Sequence, residues 1–380
     1  MKITDVEAIV VAPKRHSDAS LDAVIVRVST DEGITGIGEV NTIPMAVRAA
    51  VMAGSYHSWS MGLRDLLVGE DPEHTERLWD KMYHHTGMSG RRGLVPNLIA
   101  GIDVALWDIR GKAVGKPIHH LLGGARRQHL DAYLTIDAAP GPDFGKVRDE
   151  SVAMIERGRE LGFRRMKLET SREQVPDEAC MPEIVHAARK ALGAQGTLML
   201  DVVYRWHDVK TALHTLEKVA EDDLYFVEAP FSNDHLENYA ELARRSTVRI
   251  AAGEWLVTRF EFLELLDRGH CDIVQPGVCR VGGFTEAMRV ARLAMDRGRL
   301  VVPYGWWATG IGLAASLQFA AAVEHCPFVE FIHPSLYPSE LRDHLVGPAP
   351  SMDGDRFLLP TRPGLGVELD EDAVNRYRIA

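Results

Sequence analysis

The sequence predicts an α/β fold, a closed barrel of βα units with a separate N-terminal lobe. Three observations predict it. From about residue 130, eight short apolar runs alternate with helical stretches. Three of these runs end in a carboxylate at nearly constant spacing. No Gly-x-Gly-x-x-Gly follows the first strand, which argues against an open dinucleotide-binding sheet.

The elements follow in chain order. MKITDVEAIVV opens as a strand and lacks the apolar core and small-residue cleavage site of a signal peptide. AVIVRVSTDEGITGIGEV (23–40) is a hairpin pattern, with β-rich runs flanking Asp31-Glu32-Gly33. Residues 61–122 carry helical periodicity. In IAGIDVALWDIRGKAVGKPIHHLLGG, Ile102, Leu106 and Ile109 share one face, and the closing Gly-Gly predicts the stop.

The eight strand candidates are YLTI (133–136), FRRMKLE (163–169), TLMLD (197–201), LYFVE (224–228), VRIAAGE (248–254), CDIVQP (271–276), LVVPY (300–304) and FVEFI (328–332). Eight units suit closure into a barrel. DEACMPEIVHAARKALG (177–193) and FTEAMRVARLAMDRG (284–298) are helical patterns between them. The tail, 352–380, has no room for another unit, so it is expected to return to the first lobe. The expected domains are 1–125, completed by 352–380, and 126–351.

Composition bounds the function. The chain has 380 residues, 46% hydrophobic and 26% charged, an ordinary globular mixture. A net charge of −11 speaks against a nucleic-acid partner and repels anionic substrates unless a cation sits in the site. No run approaches the length of a membrane span. Four scattered cysteines (Cys180, Cys271, Cys279, Cys326) read as reduced thiols, so a cytoplasmic location is expected.

TLMLD ends in Asp201, LYFVE in Glu228 and IAAGE in Glu254, 27 and 26 residues apart. One βα unit takes about that many residues. Three consecutive strands therefore deliver an acid to the same end of the barrel, its catalytic end. Bare, these acids would repel one another. A hard divalent cation with oxygen ligands, Mg²⁺, resolves the repulsion.

At GIDVALWDIRGK (101–112), LMLD, FVEAP, AAGE, DIVQPGVCRVGG (272–283) and PGLGVE (363–368), the chain resembles the enolase superfamily, in its mandelate racemase/muconate lactonizing enzyme branch. The resemblance covers nearly the whole chain. It implies a modified (β/α)7β TIM-like barrel under an α+β capping domain, Mg²⁺ on Asp201, Glu228 and Glu254, and a homo-oligomer, dimer or octamer. It also implies that a small-molecule carboxylate loses its α-proton to a Lys or His base.

The chain departs from that pattern at the catalytic positions. Where the branch carries Lys-x-Lys, this chain has Lys167-Leu168-Glu169, with Lys167 and Glu169 on one strand face. The sixth-strand aspartate is Gly277, and the seventh-strand histidine is Tyr304, with Trp306 intact. An asparagine often found two residues beyond the first ligand is Val203. Glu330 matches the eighth-strand acid that typically hydrogen-bonds the substrate carboxylate.

Three readings follow. Glu169 and Tyr304 form a replacement acid/base pair, with Lys167 assisting or acting itself. A base comes instead from the capping lobe, where His16, His57, His84 and His85 are the candidates. Or the domain binds an acid without turning it over. Tyr204, Arg205, Arg259, Trp306 and Trp307 are candidate substrate contacts, each also explicable as packing or a rim salt bridge. His119-His120 read as structural. The Tyr304-Gly305-Trp306 context resembles the acid-sugar dehydratase and lactone cycloisomerase members, so β-elimination or cycloisomerisation of a sugar-derived acid is expected. The alternative is a racemase or epimerase of a hydroxy or amino acid derivative. Specificity is expected from capping-lobe loops at 13–22 and 42–60.

Overall fold

A computed structural model of the chain describes residues 1–14 and 21–380. The N-terminal lobe is a three-stranded antiparallel sheet of β1 (Ile3–Val11), β2 (Ala23–Thr30) and β3 (Thr35–Val40). β2 and β3 form the expected hairpin, with Gly33 at φ +78° in its turn. Helices cover this sheet, the longest being Leu94–Val114. Sixteen of its 21 residues are buried, so it is a core helix rather than a surface one. It lies so close to β3 that a Cβ on Gly36 or Gly38 would sit 2.0 or 1.9 Å from the helix carbonyls of Ala105 and Gly101.

The expected Gly-Gly stop falls elsewhere. The helix ends at Val114, capped by left-handed Gly115 at φ +65°. Pro117 then blocks continuation, and Ile118–Leu121 form a separate short helix before Gly123-Gly124. The periodic pattern runs across both pieces, and proline chemistry divides them.

Eight parallel strands form the barrel: β4 (His129–Ile136), β5 (Arg165–Glu169), β6 (Thr197–Asp201), β7 (Leu224–Glu228), β8 (Arg249–Ala252), β9 (Ile273–Val274), β10 (Leu300–Val301) and β11 (Val329–Phe331). Each pairs with its sequence neighbour from β4 through β10, and β11 pairs back onto β4. Strand alternation points every second side chain inward. Tyr133, Met199, Phe226, Ala251, Ile273 and Val302, all fully buried, plug the interior. The polar layer lies further along the same inward faces, toward the strand C-termini.

The tail divides. Met352–Asp353 and Arg356–Leu358 form a hairpin on the start of β4, where Asp355 accepts from Arg164 and Arg165. The chain end instead joins the first lobe, with Val10 N donating to Ala380 O and Ile379 N to Val10 O.

Buried carboxylates fasten the two lobes together. Glu39 at the end of β3 accepts from Ala308 N, Thr309 Oγ1 and Gly312 N, just after β10. Asp103 accepts from Thr285 N and Oγ1. Asp108 accepts from Ile37 N and Leu365 N. Of the acids of GIDVALWDIRGK, Asp103 therefore works as an inter-lobe anchor, while Asp108 ties its helix to β3 and to the tail. Among the described residues, no helix is long and apolar enough to cross a membrane.

Candidate active site

A cleft of about 220 Å³ opens at the C-terminal end of the barrel strands, lined by Asp137, Lys167, Glu169, Asp201, Val203, Glu254, Trp255, Tyr304, Trp306 and Glu330. Parallel register sets Glu169 beside Asp201 and Asp201 beside Glu228. Glu254 differs from expectation. β8 ends at Ala252, and Gly253, at φ +114°, turns the chain so that Glu254 reaches the cleft from the following turn. Glycine alone takes this backbone easily.

The Lys167 ammonium spans the acids. Its Nζ lies 3.1 Å from Asp201 Oδ2, 2.9 Å from Glu228 Oε2 and 2.9 Å from Glu330 Oε1. Burial pulls its pKa down, but Glu228, Glu330 and Asp201 outweigh burial and hold it well above the ordinary lysine value. In this setting Lys167 is a fixed cation, without a lone pair to serve as a base.

The acids carry the complementary strain. Burial first, then the Asp201 charge, pushes the Glu228 carboxyl well up, and the same pair of causes raises Glu254 to about 7. Glu169 is pushed well up by burial, Asp201 and Asp137. A raised pKa strengthens a carboxylate as a proton acceptor.

Among the described residues, no three ligand-type side chains already surround a common point as a metal cage. Asp201, Glu228 and Glu254 nevertheless fit a hard divalent cation in kind. All are oxygen donors on adjacent elements, and Glu228 Oε1 is buried with no hydrogen-bond partner. A cation there would also remove part of the repulsion that raises the Glu228 and Glu254 carboxyls.

Tyr304 faces the cleft with its ring against Trp307, centroids 5.1 Å apart at 81°. The Arg280 guanidinium lies 4.9 Å over the Tyr304 ring. Burial raises the phenol, and Arg280 opposes the rise. Gly277 is glycine for a packing reason: a Cβ there would stand 3.0 Å from Trp307, 3.4 Å from Arg280 Cβ and 3.4 Å from Tyr304. Likewise a Cβ at Gly305 would meet Glu330 Cβ at 2.6 Å, and Gly305 N donates to Glu330 Oε2 at 2.8 Å. Thr135, Gly305 and Lys167 together occupy the Glu330 carboxylate.

Other sequence candidates fall outside the cleft. His57, His84 and His85 do not line it, and His16 lies outside the described residues. Tyr204 is stacked behind Trp255 rather than lining the cleft. Arg205 is buried, donating to the carbonyls of Thr170 and Val175. Arg259 pairs with Glu286, and His119 with Gln318. Trp307 is buried packing, whereas Trp306 lines the cleft.

Three residues escaped the sequence reading: Asp137, which lines the cleft, Trp255 and Arg280. Trp255, directly after Glu254, is 56% exposed at the cleft. Arg280 donates from Nη1 to Glu254 O at 2.9 Å and from Nη2 to Asn41 Oδ1 of the capping lobe. Asn41 Nδ2 in turn donates to Trp306 O at 3.3 Å. Position alone would have flagged Trp255; only the tertiary fold brings Arg280 to Tyr304.

Comparison with known proteins matches residues 4–123 to the mandelate racemase/muconate lactonizing enzyme N-terminal domain, and residues 150–373 to an enolase C-terminal domain-like region. The chain belongs to the mandelate racemase/muconate lactonizing enzyme family of the enolase superfamily. Within that family, arabinonate dehydratase of Saccharolobus solfataricus is 32% identical over 370 residues, covering 97% of this chain and 93% of the relative. D-galactarolactone cycloisomerase of Agrobacterium fabrum is 32% identical over 366 residues, covering 94% and 91%. The crystal structure of a racemase from Streptomyces coelicolor A3(2) with bound magnesium superposes at a TM-score of 0.85, with 25% identity and 99% and 100% coverage. The capping domain and barrel seen here are the family's architecture, and the chain is an enzyme of that superfamily.

Proposed function

We propose that this enzyme is a Mg²⁺-dependent lyase or isomerase that removes the proton α to the carboxylate of a sugar-derived acid, completing a dehydration or a cycloisomerisation. The observation that carries it is the meeting of Asp201, Glu254, Lys167, Glu169 and Tyr304 in one cleft at the barrel's catalytic end. The dehydratase and cycloisomerase relatives support the same chemistry.

Asp201, Glu228 and Glu254 are the residues that would hold the metal, and a bound Mg²⁺ supplies the positive charge that makes a proton beside a carboxylate removable. Lys167 adds a second fixed positive charge for the substrate carboxylate. Glu169 makes no side-chain hydrogen bond or ion pair among the described residues, so its oxygens are free to take the α-proton. Tyr304, on another wall of the same cleft, donates its phenolic proton to the leaving β-oxygen. Asp137 and Trp306 complete the walls and limit the entry of water.

The test is a screen of sugar acids with Mg²⁺, reading 2-keto acid as semicarbazone absorbance. Keto acid from at least one substrate, lost on chelation, is expected. For Glu169→Gln we expect turnover to fall at least about a hundredfold with the metal retained. An undiminished kcat would remove Glu169 from the mechanism.

A further inference from the structure

We propose that Trp255, backed by Tyr204, is a stacking platform that selects a ring-closed sugar acid, one that keeps a free carboxylate, over the open-chain form. This inference rests on the function proposed above and narrows its substrate class.

Trp255 is not placed like a packing tryptophan. Trp79, Trp107, Trp206 and Trp307 are 0, 6, 2 and 2% exposed, while Trp255 is 56% exposed and lines the cleft beside Glu254. The Tyr204 ring stacks on it with centroids 4.1 Å apart and planes 28° apart. One face is thus supported, and much of the indole remains open.

The chain strains its backbone to build this support. Val203 and Tyr204 are consecutive non-glycine residues in the left-handed region, at φ +48° and +55°. Val203 N donates to Asp201 Oδ1 at 3.0 Å, and Tyr204 N to Ala229 O at 2.7 Å. The turn that leaves Asp201 is therefore the one that sets Tyr204 under Trp255. Trp306 also lines the cleft, held edge-on by Tyr337 at 5.8 Å.

A supported indole face recognises a face of polarised C–H groups, because its π surface is negative. An open-chain polyol has no such face, since its hydroxyls point in all directions. A closed sugar ring gathers C–H groups on one side and loses less freedom on binding. Apart from Val203 and the Tyr337-braced Trp306, the rest of the cleft is carboxylate, ammonium and phenol, so Trp255 is the exposed, ring-backed indole face that tells ring from chain.

The test uses two monoanionic probes of one carbon skeleton, an open-chain hexonate and an anhydrohexonate closed into a ring. Binding to the Mg²⁺-loaded full-length protein is measured by isothermal titration, for the native chain, Trp255→Ala and Trp255→Phe. We expect the ring form to bind at least tenfold tighter, Trp255→Ala to reduce that preference below twofold, and Trp255→Phe to keep most of it. Loss of affinity for both probes by one factor, or no ring preference in the native chain, overturns the platform. Solvent deuterium exchange at the substrate α-carbon, run in parallel, separates the two claims. Exchange without ring preference sinks the platform alone; neither exchange nor binding sinks the proposed function with it.

Discussion

At the scale of single residues, the catalytic wall is a set of mutual accommodations. Gly277 leaves room for Tyr304 and Trp307, and Gly305 lets the Tyr304 turn lie against Glu330. Restoring an aspartate at position 277 should therefore harm rather than help. We expect Gly277→Asp to cost about 1–3 kcal/mol of stability from overpacking and to lower kcat by displacing Tyr304; thermal melting and a turnover assay check both. Arg280 touches Glu254, Tyr304 and the capping-lobe Asn41 at once. We expect Arg280→Met to lower kcat at least about tenfold, with lysine rescuing little because it lacks the planar fork. Equal rates for arginine, lysine and methionine would refute this linkage.

At the scale of elements, strands carry the site and glycine turns adjust it. β6 and β7 present Asp201 and Glu228 as their last residues, as strand periodicity requires. The lobes are held by carboxylates whose ionisation depends on burial. Burial pushes Glu39 up to about 7, against the pull of Thr309, Gly312 and Ala308. Its folded pKa exceeds the ordinary 4.5, so folding takes up a proton between those values. The stability from this group is complete below the lower value and is lost as pH rises through the upper one. A shift of that size corresponds to about 3 kcal/mol. We expect Glu39→Gln to flatten the fall in unfolding free energy between about pH 4.5 and about pH 7; an unchanged slope in denaturant titrations would exclude it.

The same scale shows what the sequence could disclose. All eight barrel strands were legible as apolar runs, and TLMLD and LYFVE match their elements end to end. The shared barrel end of Asp201 and Glu228 followed from periodicity. The Lys167 bridge and the Arg280 contact were not legible, because each depends on partners tens to hundreds of residues away, and the Gly253 turn was not, because the apolar run continues straight into it. The helix stop was misplaced because a buried helix and its successor share one apolar pattern across Pro117.

At the scale of the molecule, the capping lobe and barrel meet where the chemistry is proposed, so lobe contact and activity should rise and fall together. Metal binding should register globally as well. A ligand held only by the folded state stabilises it by about 2.7 kcal/mol at a hundredfold excess over its Kd. We expect Mg²⁺ to raise the Tm of the native chain and to leave that of Asp201→Ala unmoved; scanning calorimetry with and without chelator decides. The Lys167 bridge has a consequence here. With an ammonium lodged among Asp201, Glu228 and Glu330, the barrel carries a counterweight of its own among its acids. That tethered charge offsets part of the acids' mutual repulsion, so the side chain proposed to meet the substrate carboxylate also steadies the mouth of the barrel.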